Sequence, residues 1–244
     1  MADSLRDALK MAPLLRDIPD GELGRLAART TRLSCARRET IFSAGDPADS
    51  IYLLMRGTVR LYHLIEDGRE LTIGIIMPWE LFGLGGLLAQ APRQRFAQAL
   101  TPVNCLRIPI DAVIALFGPH SARVLSFTSH FGTLVDNSEK LATSLAFRDV
   151  RGRLAQALLN LDERERGNDG HGQLRLTHAD LATMIGTTRE HVTRLLADFE
   201  ADGYIAKQRG HLAAILDPEG LRAEIEATRE TSVPLIGGSR GSRE

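Results

Sequence analysis

The sequence predicts an α+β chain in three parts: an N-terminal antiparallel jelly roll, a long dimerisation helix, and a C-terminal winged helix-turn-helix. Three observations predict it. Apolar residues repeat with a period of two between about 32 and 108, broken by glycine-bearing turns. They form a heptad stripe over 121–147. Beyond that, two capped helices follow one another around Gly186.

Residues 5–30 read as short amphipathic helices. Leu5, Leu9, Leu14, Leu15 and Ile18 precede a break at Pro19-Asp20-Gly21, and Leu23 and Leu26 follow it. In the next part Ile51, Leu53 and Met55 alternate with Tyr52, Leu54 and Arg56, and residues 59–64 alternate again. Gly57-Thr58 and Asp67-Gly68 predict hairpin turns, the second with a two-residue loop. Gly45-Asp46-Pro47 marks another turn, and Leu71–Ile76 and Val103–Ile108 complete the strands. Many short strands with frequent turns point to a roll that closes its edges around an interior able to hold a small ligand.

Val124, Phe127, Phe131, Leu134, Ser138, Leu141 and Leu145 are spaced by alternating threes and fours. That narrow stripe suits a parallel two-stranded coiled coil; a globular helix usually buries a wider face. The alternative is a long helix packed on its own roll. Phe147-Arg148-Asp149 leads into a helix carrying Val150, Leu154, Leu158, Leu159 and Leu161, and residues 162–173 read as a solvated loop. The resulting division is 1–120 for the roll, 121–147 for the dimer helix, 148–230 for the helix-turn-helix unit and 231–244 for a tail.

The C-terminal unit carries the strongest signal. Thr177-His178-Ala179-Asp180 has the Thr-x-x-Asp form of a capping box ahead of Leu181, Met184 and Ile185. After Gly186, a second start of Thr-x-x-Glu form, Thr187-Thr188-Arg189-Glu190, opens a helix with Val192, Leu195, Leu196 and Phe199 on one face. Burying that face exposes Arg189, Glu190, Thr193 and Arg194 near the helix start, where a recognition helix meets base edges. Arg can donate two hydrogen bonds to guanine, and Glu can accept one from cytosine. Residues 204–206 and 212–216 predict two wing strands, and Lys207, Arg209 and His211 at their tip suit backbone phosphates. The alternative is an ordinary two-helix packing unit with a solvated Glu190–Arg194 pair.

Charge neither supports nor opposes this reading. The whole chain balances 30 basic against 31 acidic residues, and binding needs only a local basic surface. Cys35 and Cys105 cannot make a four-cysteine cluster, and both read as buried thiols in a reducing cytoplasm. No stretch is long and apolar enough to span a membrane, and residues 1–10 lack the apolar core of a secretion signal. His63, His120, His130, Asp136 and His178 fall into no ordered catalytic constellation, so no enzyme is expected.

Residues 176–196, with Leu176-Thr177-His178-Ala179-Asp180-Leu181 and Thr188-Arg189-Glu190 through Arg194, resemble the DNA-binding segment of the CRP/FNR superfamily of transcription regulators. Gly45-Asp46-Pro47-Ala48-Asp49-Ser50 through Gly57, and Gly68-Arg69-Glu70-Leu71 leading to Leu81-Phe82-Gly83, resemble the cyclic-nucleotide-binding-like roll of that family. The likeness covers about residues 10–218. It implies homodimers on double-stranded DNA in the cytoplasm, working with RNA polymerase. It assigns Arg189, Glu190 and Arg194 to reading GTGA-like half-sites, with Thr177, Thr188 and Thr193 at the same interface.

The resemblance also places the effector cassette at Gly83, Leu84, Gly85 and Gly86, followed by Arg93, Arg95 and Phe96, with Arg95 as the matching arginine. Glycine-rich turns expose backbone N–H groups, and an Arg can close on an anion. Cyclic-AMP receptors need a Glu where this chain has Leu84, so cyclic AMP is not expected to bind. Phe82-Gly83 with Arg95-Phe96 looks more like the cyanobacterial nitrogen-control regulators, which by resemblance adds Glu139. The helix Arg of those regulators falls on Leu134. A small anionic effector, an apolar one, none at all, and haem or redox sensing through His63 or the cysteines remain open, and no cofactor is assigned.

Overall fold

The computed structural model describes residues 2–65, 67–85, 91–117, 132, 135–136, 138–166, 176–206 and 214–231. Helices α1 (Ala2–Lys10) and α2 (Asp20–Arg29) come first, separated by a 3-10 turn at Pro13–Leu15. Pro19 precedes the first turn of α2, so the predicted break is a helix start; its fixed φ suits that position.

Eight strands follow: β1 (Thr31–Cys35), β2 (Thr40–Phe42), β3 (Ser50–Arg56), β4 (Val59–Leu64), β5 (Glu70–Ile76), β6 (Leu81–Phe82), β7 (Phe96–Ala99) and β8 (Val103–Pro109). They pair antiparallel in two four-stranded sheets, ordered β1-β8-β3-β6 and β2-β7-β4-β5. Between the sheets lies a core of Phe42, Tyr52, Leu54, Val59, Phe82, Ala97, Ala99, Val103 and Cys105. This is the predicted jelly roll.

The alternation in β3 serves two cores. Tyr52 and Leu54 point into the roll, whereas Ile51 and Leu53 pack outward against Leu9, Leu15, Leu23 and Leu26 of the N-terminal helices. Helix α3 (Ile110–Phe117) closes that outer core through Ala112, Val113 and Leu116. Cys35 and Cys105 are buried free thiols, and desolvation pushes the Cys105 thiol up to about 12.

Two turns differ from expectation. Gly57-Thr58 is a corner, because β3 and β4 belong to different sheets. Gly57 has φ +94°, and a Cβ there would lie 2.4 Å from the Pro102 carbonyl oxygen. Gly57→Ala is therefore expected to cost about 2–4 kcal/mol in urea denaturation, from left-handed strain plus a forced backbone shift. At the β4–β5 hairpin, Ile65 N–H donates to the Arg69 carbonyl and Gly68 N–H to the Ile65 carbonyl. Three positions thus lie in the loop, with Gly68 at φ +80°, the turn-plus-bulge form rather than the two-residue one.

Residues 138–147 are helical, and Leu141 and Leu145 are half-buried while Ser138 and Glu139 are exposed. Val124, Phe127, Phe131 and Leu134 lie outside the described residues. Asp149 then accepts the Gly152 N–H at 2.7 Å and starts α4 (Val150–Arg166), so residues 162–166 continue a helix instead of opening the expected loop. The remaining elements are α5 (His178–Ile185), α6 (Arg189–Ala201), β9 (Ile205–Ala206), β10 (Ala214–Ile215) and α7 (Pro218–Thr231).

The helical unit packs on the roll. Ile75, Met77 and Leu100 of the roll share one core with Leu154, Leu158, Leu161, Leu181 and Ile185. At its edge the Thr72 and Thr183 hydroxyls lie 3.0 Å apart, and Arg164 donates to both Glu80 oxygens at 2.7 Å. The sequence gives no sign of this docking, since its two hydrogen-bonded pairs bridge 111 and 84 positions.

Candidate nucleic-acid interface and effector pocket

Helix α5 begins with the predicted capping box. The Asp180 N–H donates to Thr177 Oγ1 at 3.2 Å, and Thr177 N–H donates to Asp180 Oδ2 at 2.8 Å. Two orphan donors at the helix start are thereby satisfied, although Asp180 itself is buried. Gly186 ends α5 in the left-handed region at φ +66°, and the Gly186 and Thr187 N–H groups both return to the Ala182 carbonyl.

Closing α5 uses Thr187, and this moves the second helix start by one residue from the expected box. Thr188 is the N-cap; its hydroxyl accepts from His191 N–H at 3.3 Å, and Glu190 sits in the first turn without capping. The buried face of α6 is Val192, Leu195, Leu196 and Phe199, as the spacing predicts. Arg189, Glu190, Thr193 and Arg194 are all exposed on the opposite face. Thr188 is also exposed, while Thr177 is half-buried.

Three ion-paired or hydrogen-bonded arginines behind this face escaped sequence reasoning. Arg151 donates to Glu224 at 2.7 and 2.8 Å and to Asp202 at 2.6 Å, with its guanidinium 4.7 Å from the Phe199 ring centre. It ties α4, the end of α6 and α7 together. Arg153 donates to the Ile185 carbonyl at the turn and to the Arg148 carbonyl at the break between helices, both at 2.8 Å. Arg164 holds the unit to Glu80. Apart from the Arg148 carbonyl, their partners lie more than thirty positions away, so no local signal could reveal them. Strands β9 and β10 pair antiparallel as a short wing. Its tip, with Lys207, Arg209 and His211, lies outside the described residues.

In the roll, Gly83 has φ +79°, and Gly85 is exposed; Gly86 lies outside the described residues. The Leu84 side chain is buried with the N-terminal helices rather than in the roll core. Arg95 is exposed, Phe96 stacks on Tyr62 with ring centres 5.1 Å apart, and Glu139 is exposed on its helix. The described contacts do not bring Arg95 and Glu139 together.

The guanidinium that closes on the glycine turn belongs to Arg93 and not to Arg95, the arginine expected to match the cassette. Arg93 is 7% exposed and donates to the Gly83 carbonyl at 2.9 Å and the Ser50 carbonyl at 2.5 Å. It lies 4.2 Å from the centre of Phe42, whose ring joins Tyr52 and Phe82 in a stacked trio. Burial holds its pKa below the ordinary arginine value. Desolvation likewise lowers His63, helped by the nearby Arg95 charge. Among the described residues, no group of three or more His, Cys, Asp or Glu is placed to hold a metal. A cavity of about 280 Å³ lies against Met11, Pro13, Leu14, Trp79 and Leu81.

Comparison with known proteins now gives this geometry a context. The global nitrogen regulator of Synechocystis is 35% identical over 175 residues, covering 70% of this chain and 78% of that protein. The chain belongs to the CRP/FNR family of DNA-binding transcription regulators. Residues 152–224 match the family model of the Crp-like helix-turn-helix domain, and residues 32–120 match that of the cyclic nucleotide-binding domain. A CRP-like cAMP-activated global transcriptional regulator of Mycobacterium tuberculosis is 27% identical, covering 88% of this chain and 97% of that protein. Among solved CRP/FNR structures, the c-di-GMP-responsive regulator CLP of Xanthomonas campestris superposes with a TM-score of 0.67 at 27% identity, covering 81% and 99% of the two chains. Among the described residues of this family member, no helix is long and apolar enough to cross a membrane.

Proposed function

We propose that this regulator binds a palindromic GTGA-like DNA site as a homodimer, and that its roll answers to a small effector other than cyclic AMP. One observation carries the DNA reading: Arg189, Glu190 and Arg194 stand exposed at the start of a helix whose other face is buried. Residues 121–147 pair two copies and set the two recognition helices about 34 Å apart, one DNA turn. Residues 1–120 sense, 148–230 bind DNA through these side chains and the wing residues Lys207, Arg209 and His211, and 231–244 form a tail. RNA polymerase is the expected protein partner.

Against cyclic AMP stands Leu84, which offers no acceptor and is turned into the outer core. Leaving a ribose hydroxyl buried and unmatched costs about 1–3 kcal/mol. The exposed Arg95 favours a small anion, held with Gly83, Gly85, Gly86, Phe96 and Glu139 once a ligand draws these groups together. A second reading, regulation by abundance with no effector, gains from Arg93, which already fills the aromatic wall beside Gly83.

Footprinting tests the first part: protection of two half-sites one turn apart is expected, and protection independent of sequence would overturn it. Native mass spectrometry should show the dimer with any retained effector. Calorimetry with cyclic AMP should record no micromolar binding, and a heat of that affinity would reverse the effector assignment.

A further inference from the structure

We propose that His178 and the Arg189 carbonyl together decide what Thr193 shows to DNA: they hold the threonine hydroxyl back against the protein, so the methyl group is left to read a thymine. The inference rests on the DNA-reading role proposed above for α6 and adds a base contact and a positioning residue to it.

The argument is a count of hydrogens. Thr193 Oγ1 lies 2.9 Å from the Arg189 carbonyl and 2.8 Å from His178 Nδ1. A carbonyl can only accept, so the single hydroxyl hydrogen goes to Arg189. Toward His178 the oxygen must then accept, which requires that Nδ1 carry the proton. This holds in the Nδ1–H neutral form and in the imidazolium alike.

The consequence lies at the groove. A hydroxyl whose hydrogen is spent cannot donate to guanine O6 or N7 or to thymine O4. Thr193 keeps one lone pair and its methyl. It sits in the middle of the exposed face, one turn after Arg189 and beside Arg194. In the major groove the apolar partner for a threonine methyl is the thymine C5-methyl. The lone pair alone would instead select the adenine amino group. His178 starts α5 and Thr193 lies 15 positions later in α6, so the two helices of the motif jointly set this rotamer.

The test uses full-length protein and its best-bound palindrome, replacing each half-site thymine in turn by uracil, which lacks only the methyl. Fluorescence anisotropy should show a roughly 3- to 5-fold loss per half-site at one thymine position, the worth of about one methyl contact. Thr193→Val should keep that uracil penalty and Thr193→Ser should lose it. His178→Ala should weaken the preference at the same base pair, by removing one of the two anchors of the hydroxyl, while the guanine contacts of Arg189 and Arg194 persist. Both residues are exposed, so unchanged melting curves are expected for all three variants. Specific binding with no uracil penalty anywhere overturns this inference alone, as does a penalty that survives in Thr193→Ser or a base preference unmoved in His178→Ala. Absence of any specific binding overturns the DNA reading as well.

Discussion

Replacing Arg189 and Arg194 together by Ala is expected to abolish sequence-specific binding and leave the salt-dependent background intact. Each bidentate arginine–guanine contact would discriminate by about 1–3 kcal/mol, so losing two removes about 2–6 kcal/mol from each half-site, roughly 30- to 10⁴-fold per half-site. Background binding through phosphates is sequence-independent, and removing these two base readers should lower it far less. Both side chains are exposed on a helix anchored by the opposite face, so folding should not suffer. Competition binding between the palindrome and a scrambled duplex reads the ratio directly. A double variant that still prefers the palindrome by the parent margin would remove Arg189 and Arg194 from base recognition.

Arg93→Ala is expected to destabilise the roll by about 3–8 kcal/mol. The substitution strips the donors from the Gly83 and Ser50 carbonyls, at about 1–3 kcal/mol for each buried group left unmatched. It also removes a buried cation from the face of Phe42, worth about 0.5–2 kcal/mol. Arg93→Lys keeps the charge without the planar fork and should fall between the two. Urea denaturation should show the midpoint falling with little change in slope. A variant as stable as the parent would mean that the Phe42–Tyr52–Phe82 stack closes without its guanidinium.

Several elements were legible because their signals are local. The Thr177–Asp180 box needs only four residues, and the structure contains it. The offsets of Val192, Leu195, Leu196 and Phe199 fix the buried face of α6, since a helix brings every third and fourth residue to the same side. The alternation in β3 was equally plain, but not its meaning. Nothing local says that N-terminal helices cover the outer face of that strand, which buries Ile51 and Leu53 as fully as Leu54.

The effector cassette was the less legible site. A glycine run with nearby arginines can be read from the sequence, but Arg93 and Arg95 are told apart only by the irregular segment before β7, which does not keep strand periodicity. Arg93 goes inward to Gly83 and Ser50, and Arg95 goes out to solvent. The same limit applies to the corner at Gly57, where the chain leaves one sheet for the other, and to the pairing of Glu80 with Arg164.

The sequence alone thus determined the kinds of element, their order, and the face that α6 leaves exposed, because periodicity and capping act over a few residues. Only the tertiary structure decided which arginine enters the roll, how α5 seats on β5, and how His178 meets Thr193. Those outcomes depend on contacts between residues brought together by folding, where packing and hydrogen-bond satisfaction choose among side chains that look equivalent along the chain.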